Sequence, residues 1–318
     1  MERPVSFDSD GRRLYGILGC PDTIGRALRD PVTAGAPSAP RAARGVVLIH
    51  GWSGYRIGPN RIFVDASRAF NAAGVATLRF DLRGRGDSEG DTFETDLDAM
   101  ISDACAAVEC LRRESRADDI ALLGICSGSN VAIGAATLMS QIRELILWSI
   151  FTFAPQKKRS DRIRRTCRFA LDYARKLVRA ETWRKLFTGR INFGMVGKVL
   201  FGSRPAGTKE GRNPKDSRRD IMAAFAGYGG RALFIHGSRD AEAHGAREVF
   251  HNFCTGHGIR SEFILVDGAS HNFQSARWKS EVIARSIAWL LAENSSGDPS
   301  ASAQGRPEHR RTGERTPR

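Results

Sequence analysis

The chain reads as an α/β protein, a mostly parallel sheet with helices on both faces and a helical lid inserted late in the sequence. Two observations lead there. Apolar runs of six or seven residues alternate with longer stretches of helical period, the pattern of strands buried between two helical layers. One such run, Asp119-Ile-Ala-Leu-Leu-Gly, passes directly into Gly124-Ile125-Cys126-Ser127-Gly128 and a helix of small residues. A strand, a sharp turn and a helix therefore follow one another without a break.

An N-terminal hairpin comes first, with Asp10-Gly11 as the turn between Val5-Ser-Phe and Leu14-Tyr-Gly-Ile-Leu. Residues 21–44 form an Ala/Pro-rich connection. Strands are expected over 45–50, 76–81, 119–124 and 144–150, with helices over 61–73, 94–113 and 127–139. The alternation stops between about 152 and 228, then resumes with strands 231–236 and 261–266 and helices 242–256 and 276–292. An insertion at that place lies over the carboxyl ends of a parallel sheet, hence a lid. After Asn294 the sequence is Ser/Gly/Pro/Arg-rich without apolar period, the composition of a disordered tail. The organisation is then 1–151 and 229–294 as two parts of one core, 152–228 as a basic helical lid and 295–318 as a tail.

The Gly-x-Cys-x-Gly turn carries the chemistry. Gly124 and Gly128 let strand and helix approach around a strained central residue, which presents Cys126 at a helix N-terminus. There the unpaired N–H groups and the helix dipole favour a thiolate over a thiol. Ser127 is the competing nucleophile, but the glycines frame position 126. A buried cysteine beside glycines is also common packing in such cores, so the rest of the chain has to decide.

A thiol nucleophile needs an oriented base, and in this architecture the chain order is nucleophile, acid, histidine, each after a strand. Asp240 follows Arg231-Ala-Leu-Phe-Ile-His-Gly, and His271 follows Ser261-Glu-Phe-Ile-Leu-Val-Asp-Gly. Asp267 competes for the acid role, with a turn residue as its plainer reading. Of the seven histidines, His50 and His236 end strands in His-Gly pairs, His244, His251 and His257 lie on or beside one polar helix, and His309 is in the tail. Only His271 has both position and order. Two backbone N–H groups should face the developing oxyanion: that of Ser127, and that of Trp52 in the loop after Gly45-Val-Val-Leu-Ile-His50. Trp52 also suits simple packing under the lid. Asp81, Asp87 and Ser88 look catalytic but are expected to hold a turn and cap the following helix.

With these residues in place the chain resembles the α/β-hydrolase superfamily over about Pro4 to Ala292. Leu48-Ile-His-Gly-Trp-Ser-Gly, Arg61-Ile-Phe-Val-Asp-Ala-Ser-Arg-Ala-Phe-Asn-Ala-Ala-Gly and Thr77-Leu-Arg-Phe-Asp-Leu-Arg-Gly-Arg-Gly-Asp-Ser-Glu-Gly90 are similar to the esterase branch that includes cinnamoyl esterases and serine aminopeptidase-like proteins. Gly54-Tyr-Arg-Ile-Gly-Pro-Asn-Arg61, Glu181-Thr-Trp-Arg-Lys-Leu-Phe-Thr-Gly-Arg-Ile-Asn192 and the elbow cysteine resemble the exosortase A system-associated hydrolases, family 1. That resemblance implies an α/β-hydrolase fold and a link to exopolysaccharide export and surface-protein sorting. The elbow departs from those relatives in reading Cys-Ser-Gly, where an acidic residue is expected.

Charge supplies the last observation. The 318 residues carry 49 Lys+Arg and 35 Asp+Glu, a net of +14. From Lys157 to Asp220 there are 20 basic and 6 acidic residues, which leaves 29 of each sign elsewhere. All of the excess is in the lid. There Ile163, Cys167, Ala170, Ala174 and Leu177 recur at helical spacing, and Trp183 and Phe187 are candidates, with Tyr55, for packing on the core or a substrate channel. The charge fits a solvated surface, a site for a polyanion or an anionic membrane surface, or a protein partner. Nucleic acid is not expected, because no binding module accompanies it.

No apolar h-region opens the chain and no apolar run reaches the roughly 18 residues of a membrane span. The six cysteines lack metal-ligand or disulfide-framework spacing, as in a cytoplasmic protein, with a peripheral place at the inner membrane face as the alternative. No metal or cofactor is implied. The expected reaction is attack of the Cys126 thiolate on a small-molecule or carrier-linked ester, thioester or lactone, giving an acyl-enzyme. Transfer to an acceptor alcohol or amine, as in polyester synthases with a similar elbow, is one alternative. A catalytically silent protein that binds an anionic surface is another.

Overall fold

The computed structural model describes residues 1–22, 42–92, 95–152, 217–241 and 243–292. Most of the predicted lid, with Trp183 and Phe187, and the tail lie outside these residues. Eight strands form one sheet: β1 (Glu2–Ser9), β2 (Arg12–Gly19), β3 (Arg44–Ile49), β4 (Ala76–Phe80), β5 (Asp119–Ile125), β6 (Glu144–Trp148), β7 (Arg231–Gly237) and β8 (Arg260–Val266). Their spatial order is β1-β2-β4-β3-β5-β6-β7-β8. The hairpin β1–β2 and the β2–β4 pair are antiparallel. From β4 through β8 every pairing is parallel. Asp10 and Gly11 both have positive φ, 50° and 72°, as a two-residue type I′ hairpin turn requires.

Six α-helices are described: α1 (Ile62–Ala72), α2 (Leu97–Ser115), α3 (Ser127–Leu138), α4 (Ile221–Phe225), α5 (Ala243–Gly256) and α6 (Ala276–Leu291). The core divides by face of the sheet. Ile62, Phe63 and Phe70 of α1 and Val282, Ile283 and Leu290 of α6 cover one face together with Trp148 and Phe273. Met100 and Ile101 of α2, Val131 and Ile133 of α3, Phe225 of α4 and Phe250 of α5 cover the other. Strands between two such layers lose solvent on both sides, and every residue of β4 and β6 is buried. At the outer edge β8 is mostly exposed or half-buried, its pairing to β7 leaving one side open.

Two local expectations are corrected. Helix α2 begins at Leu97 rather than 94, and its cap is Asp96, whose carboxylate accepts from the Ala99 N–H at 2.9 Å. Asp81, Asp87 and Ser88 therefore cap no helix. Asp81 is fully buried and accepts from the N–H groups of Arg56 (2.6 Å) and Asp87 (3.1 Å) as well as from the Arg56 guanidinium. Ser88 donates to the Asp81 carbonyl at 2.7 Å. The trio ties the turn after β4 to the loop after β3.

The described end of the predicted lid segment is part of the core. Asp98 of α2 accepts from the Ser217 hydroxyl and from the Arg218 N–H, the latter at 2.8 Å. Asp220 caps α4 by accepting from Ala223 N–H at 3.0 Å, which seats Ile221 and Phe225 against α3. Among the described residues no helix is long and apolar enough to cross a membrane.

Candidate active site

The elbow forms because two strands and a helix must meet where no side chain fits. Cys126 has φ 58° and ψ −126°, between the end of β5 and the start of α3. A Cβ on Gly124 would lie 2.4 Å from the Gly128 carbonyl oxygen, and one on Gly128 only 2.2 Å from that of Ile49. The strained backbone is held from the neighbouring strand. Cys126 N–H donates to the Trp148 carbonyl at 2.9 Å, and Ser129 Oγ–H donates to that of Gly124 at 2.8 Å. Sustained strain of this kind marks sites where a side chain has to be aimed.

The loops after β7 and β8 are packed on one another. Gly237 permits this, since a Cβ there would sit 2.3 Å from the Ala269 carbonyl. Arg239 N–H donates to that same carbonyl at 2.9 Å, and Phe273 buries its ring edge-on against Trp148 with centroids 6.3 Å apart. Ser149, next along from Trp148, donates its hydroxyl to the His271 carbonyl at 2.7 Å. His271 is thus fixed from its backbone as well as from its ring.

His271 Nδ1 lies 2.7 Å from Asp240 Oδ2, and the same side chain hydrogen-bonds Cys126. Asp240 is 5% exposed. Burial alone would lower the histidine's pKa, but the hydrogen bonds to Asp240 and Cys126 and its electrostatic interaction with them outweigh it and push the value up to about 10. The imidazolium is the favoured form between those two groups. Asp267 is engaged elsewhere, with Oδ1 accepting from Ser238 Oγ at 3.2 Å.

The other histidines of the strand ends are structural ties. His50 Nδ1 bonds the Gly51 carbonyl at 2.8 Å while Nε2 accepts from the Leu82 N–H at 3.1 Å. Burial lowers its pKa to about 4, so it stays neutral. His236 Nε2 bonds the Ile150 carbonyl at 3.1 Å, and burial lowers it too. Among the other cysteines, burial pushes Cys105 and Cys110 up to about 11, as expected of packing thiols.

Both predicted oxyanion donors lie beside the elbow. Ser127 opens α3, where a backbone N–H has no intrahelical acceptor. The Trp52 N–H donates to the Ser127 hydroxyl at 2.6 Å, a contact not anticipated from sequence. Arg85 fixes Trp52 from the other side: its Nε donates to the Trp52 carbonyl at 2.7 Å and its guanidinium lies 4.7 Å from the centre of the indole ring. Tyr55 is 48% exposed, and its carbonyl accepts from the Gly58 N–H at 2.9 Å. Ser149 and Arg85 are the residues that sequence reasoning missed. The only signal for either was position, directly after β6 and within the turn after β4. Among the described residues no group of three or more His, Cys, Asp or Glu is placed to hold a metal ion.

This fold and elbow are those of an α/β hydrolase. The sequence pattern of the alpha/beta hydrolase family matches residues 46–285, and the chain belongs to that family. Among solved structures it is similar to Est1E of Butyrivibrio proteoclasticus, solved with ferulic acid bound, at 18% identity over 90% of this chain and 98% of that one, with a TM-score of 0.56. An esterase of Pyrococcus furiosus aligns at 17% identity over 91% of this chain and 90% of its own, with a TM-score of 0.61. Dienelactone hydrolase of Anabaena variabilis aligns at 14% identity over 92% and 97%, with a TM-score of 0.56. At such identities the likeness is one of fold. No curated protein matches the sequence.

Proposed function

We propose that the chain is a hydrolase that cleaves an ester, thioester or lactone through a cysteine acyl-enzyme. The observation that carries this reading is His271 bridging Asp240, at 2.7 Å, and Cys126. In it Asp240 holds the imidazole through Nδ1, and the His271 imidazolium pairs with the Cys126 thiolate, which attacks the carbonyl carbon. The Ser127 N–H at the start of α3 stabilises the oxyanion, while the Trp52 N–H, expected as the second donor, is taken up by Ser127 Oγ. As the tetrahedral intermediate collapses, His271 gives its proton to the leaving oxygen or sulfur. It then takes a proton from the water that attacks the thioester, and Cys126 is regenerated. Structural neighbours described as an esterase and a dienelactone hydrolase support a carboxylic ester or lactone as the substrate class.

The basic segment 157–220 adds a preference for a substrate on a phosphate-bearing carrier or at an anionic membrane surface, since clustered cations beside apolar residues attract such interfaces. The likeness of 54–61 and 181–192 to exosortase-associated hydrolases supports a carrier used in exopolysaccharide or surface-protein export.

Intact-protein mass spectrometry with p-nitrophenyl and thioester acyl donors tests the reading. An adduct that requires Cys126, forms in Ser127→Ala but not in Cys126→Ala, and is released to water is the expected result. Release only to an added amine or alcohol would make the protein a transferase. No adduct with any donor would reduce it to a binding protein.

A further inference from the structure

The Trp52 N–H is committed. It donates to Ser127 Oγ at 2.6 Å, while Arg85 holds the Trp52 carbonyl and covers its ring. Ser127 itself is 8% exposed, and a hydroxyl that accepts from the Trp52 N–H still has its own proton to donate. An oxygen that accepts from the Trp52 N–H must lie within about 3 Å of it, and Ser127 Oγ already occupies that place. If the hydroxyl swung aside, a buried N–H and a buried hydroxyl would both lose their partner, which is disfavoured.

We propose that the side chain of Ser127 is itself an oxyanion donor, relaying the Trp52 N–H through its own O–H to the substrate oxygen. This rests on the reading of Cys126 as nucleophile. Cys126 Sγ forms its bond to the carbonyl carbon and the π pair moves to oxygen. That oxygen accepts the Ser127 backbone N–H and the Ser127 O–H, and no proton is transferred to it. On collapse the pair returns, the carbon–leaving-group bond breaks, and the leaving group takes its proton from His271. The relay is cooperative, because a hydroxyl that accepts from an N–H is a better donor. A side chain at this position therefore does work usually left to backbone, and position 127 becomes selective for serine or threonine.

The test compares full-length wild type, Ser127→Ala and Ser127→Thr in single-turnover acylation by a p-nitrophenyl ester, alongside alkylation by iodoacetamide, which develops no oxyanion. Expected for Ser127→Ala is an acylation rate lower by about 10²-fold, with the substrate concentration for half-saturation little changed and the Cys126 alkylation rate preserved. Ser127→Thr should recover most of the loss. Preserved alkylation shows that the elbow is intact, so a misfolded variant cannot imitate the result. If wild type turns over and Ser127→Ala acylates as fast or faster, the hydroxyl is a plug that substrate displaces, and the relay is overturned while the hydrolase reading stands. If wild type itself is neither acylated nor alkylated at Cys126, the hydrolase reading fails and the relay falls with it.

Discussion

Asp240 Oδ2 and His271 Nδ1 meet at 2.7 Å across the loops that end β7 and β8. The carboxylate is nine-tenths buried, so it acts on the imidazole with little solvent screening. Replacing it by Asn keeps the shape and removes the charge that holds the imidazolium. Asp240→Asn is expected to lower turnover on an ester by on the order of 10³–10⁴-fold. A loss below tenfold in steady-state assays would sink the assignment of Asp240.

Folding raises His271 from 6.5 to about 10. Its contribution to stability is therefore complete below about pH 6.5 and is lost as pH rises through 10. Urea titrations of wild type and His271→Gln at pH 6, 8 and 10 should show the difference between them shrinking with pH. A difference that stays constant over this range would contradict the raised value.

Gly128→Ala forces a methyl to within 2.2 Å of the Ile49 carbonyl oxygen and 2.6 Å of that of His50. Backbone has to shift, so the variant should lose about 1–3 kcal/mol and most of its Cys126 reactivity together. Denaturant midpoints and alkylation rates check this, and a stable variant with normal reactivity would show that β3 and the elbow can separate freely.

Asp81→Asn breaks a buried ion pair with Arg56. A loss of about 3–5 kcal/mol is expected, with activity per folded molecule retained below the melting temperature. Calorimetry and active-site titration separate the two, and a variant that is stable but inactive would give Asp81 a catalytic rather than a structural role.

Arg85→Lys keeps a charge but loses the planar guanidinium that stacks on Trp52 and the Nε that bonds its carbonyl. Turnover should fall by about 10–100-fold with KM nearly unchanged, as expected when a donor is misplaced rather than removed. A change in KM alone would instead mark Arg85 as a group that binds substrate.

The central strands were legible because they are apolar without interruption, and β4, β5 and β6 needed no alternation to be recognised. Cys126, Asp240 and His271 were legible because each follows such a strand, in an order that brings them to one end of the sheet. Other features left weaker traces. The start of α2 was misplaced because Asp96 is one acidic residue among several near it, and only the bond to Ala99 singles it out. Ile221 and Phe225 lie four apart, one helical turn, but the surrounding charge hid them. Ser149 acts on the carbonyl of a residue 122 positions away, and contacts between a hydroxyl and a distant backbone have no sequence signature. The Trp52–Ser127 bond has no sequence trace for a related reason: the roles expected of both residues lie in their backbone N–H groups, which say nothing of where the Ser127 hydroxyl turns.

The strand order has a consequence for how the protein is made. Once β5 and β6 have paired, Cys126 is in place, yet its partner His271 is encoded 145 residues later, beyond β7. At synthesis rates of about 5–20 residues per second, the 123 residues from the end of β6 at Trp148 to His271 leave that thiol without the histidine for roughly 6–25 seconds. During that interval the candidate site is half built, and a chain that terminates before β8 holds the Cys126 elbow but not the histidine.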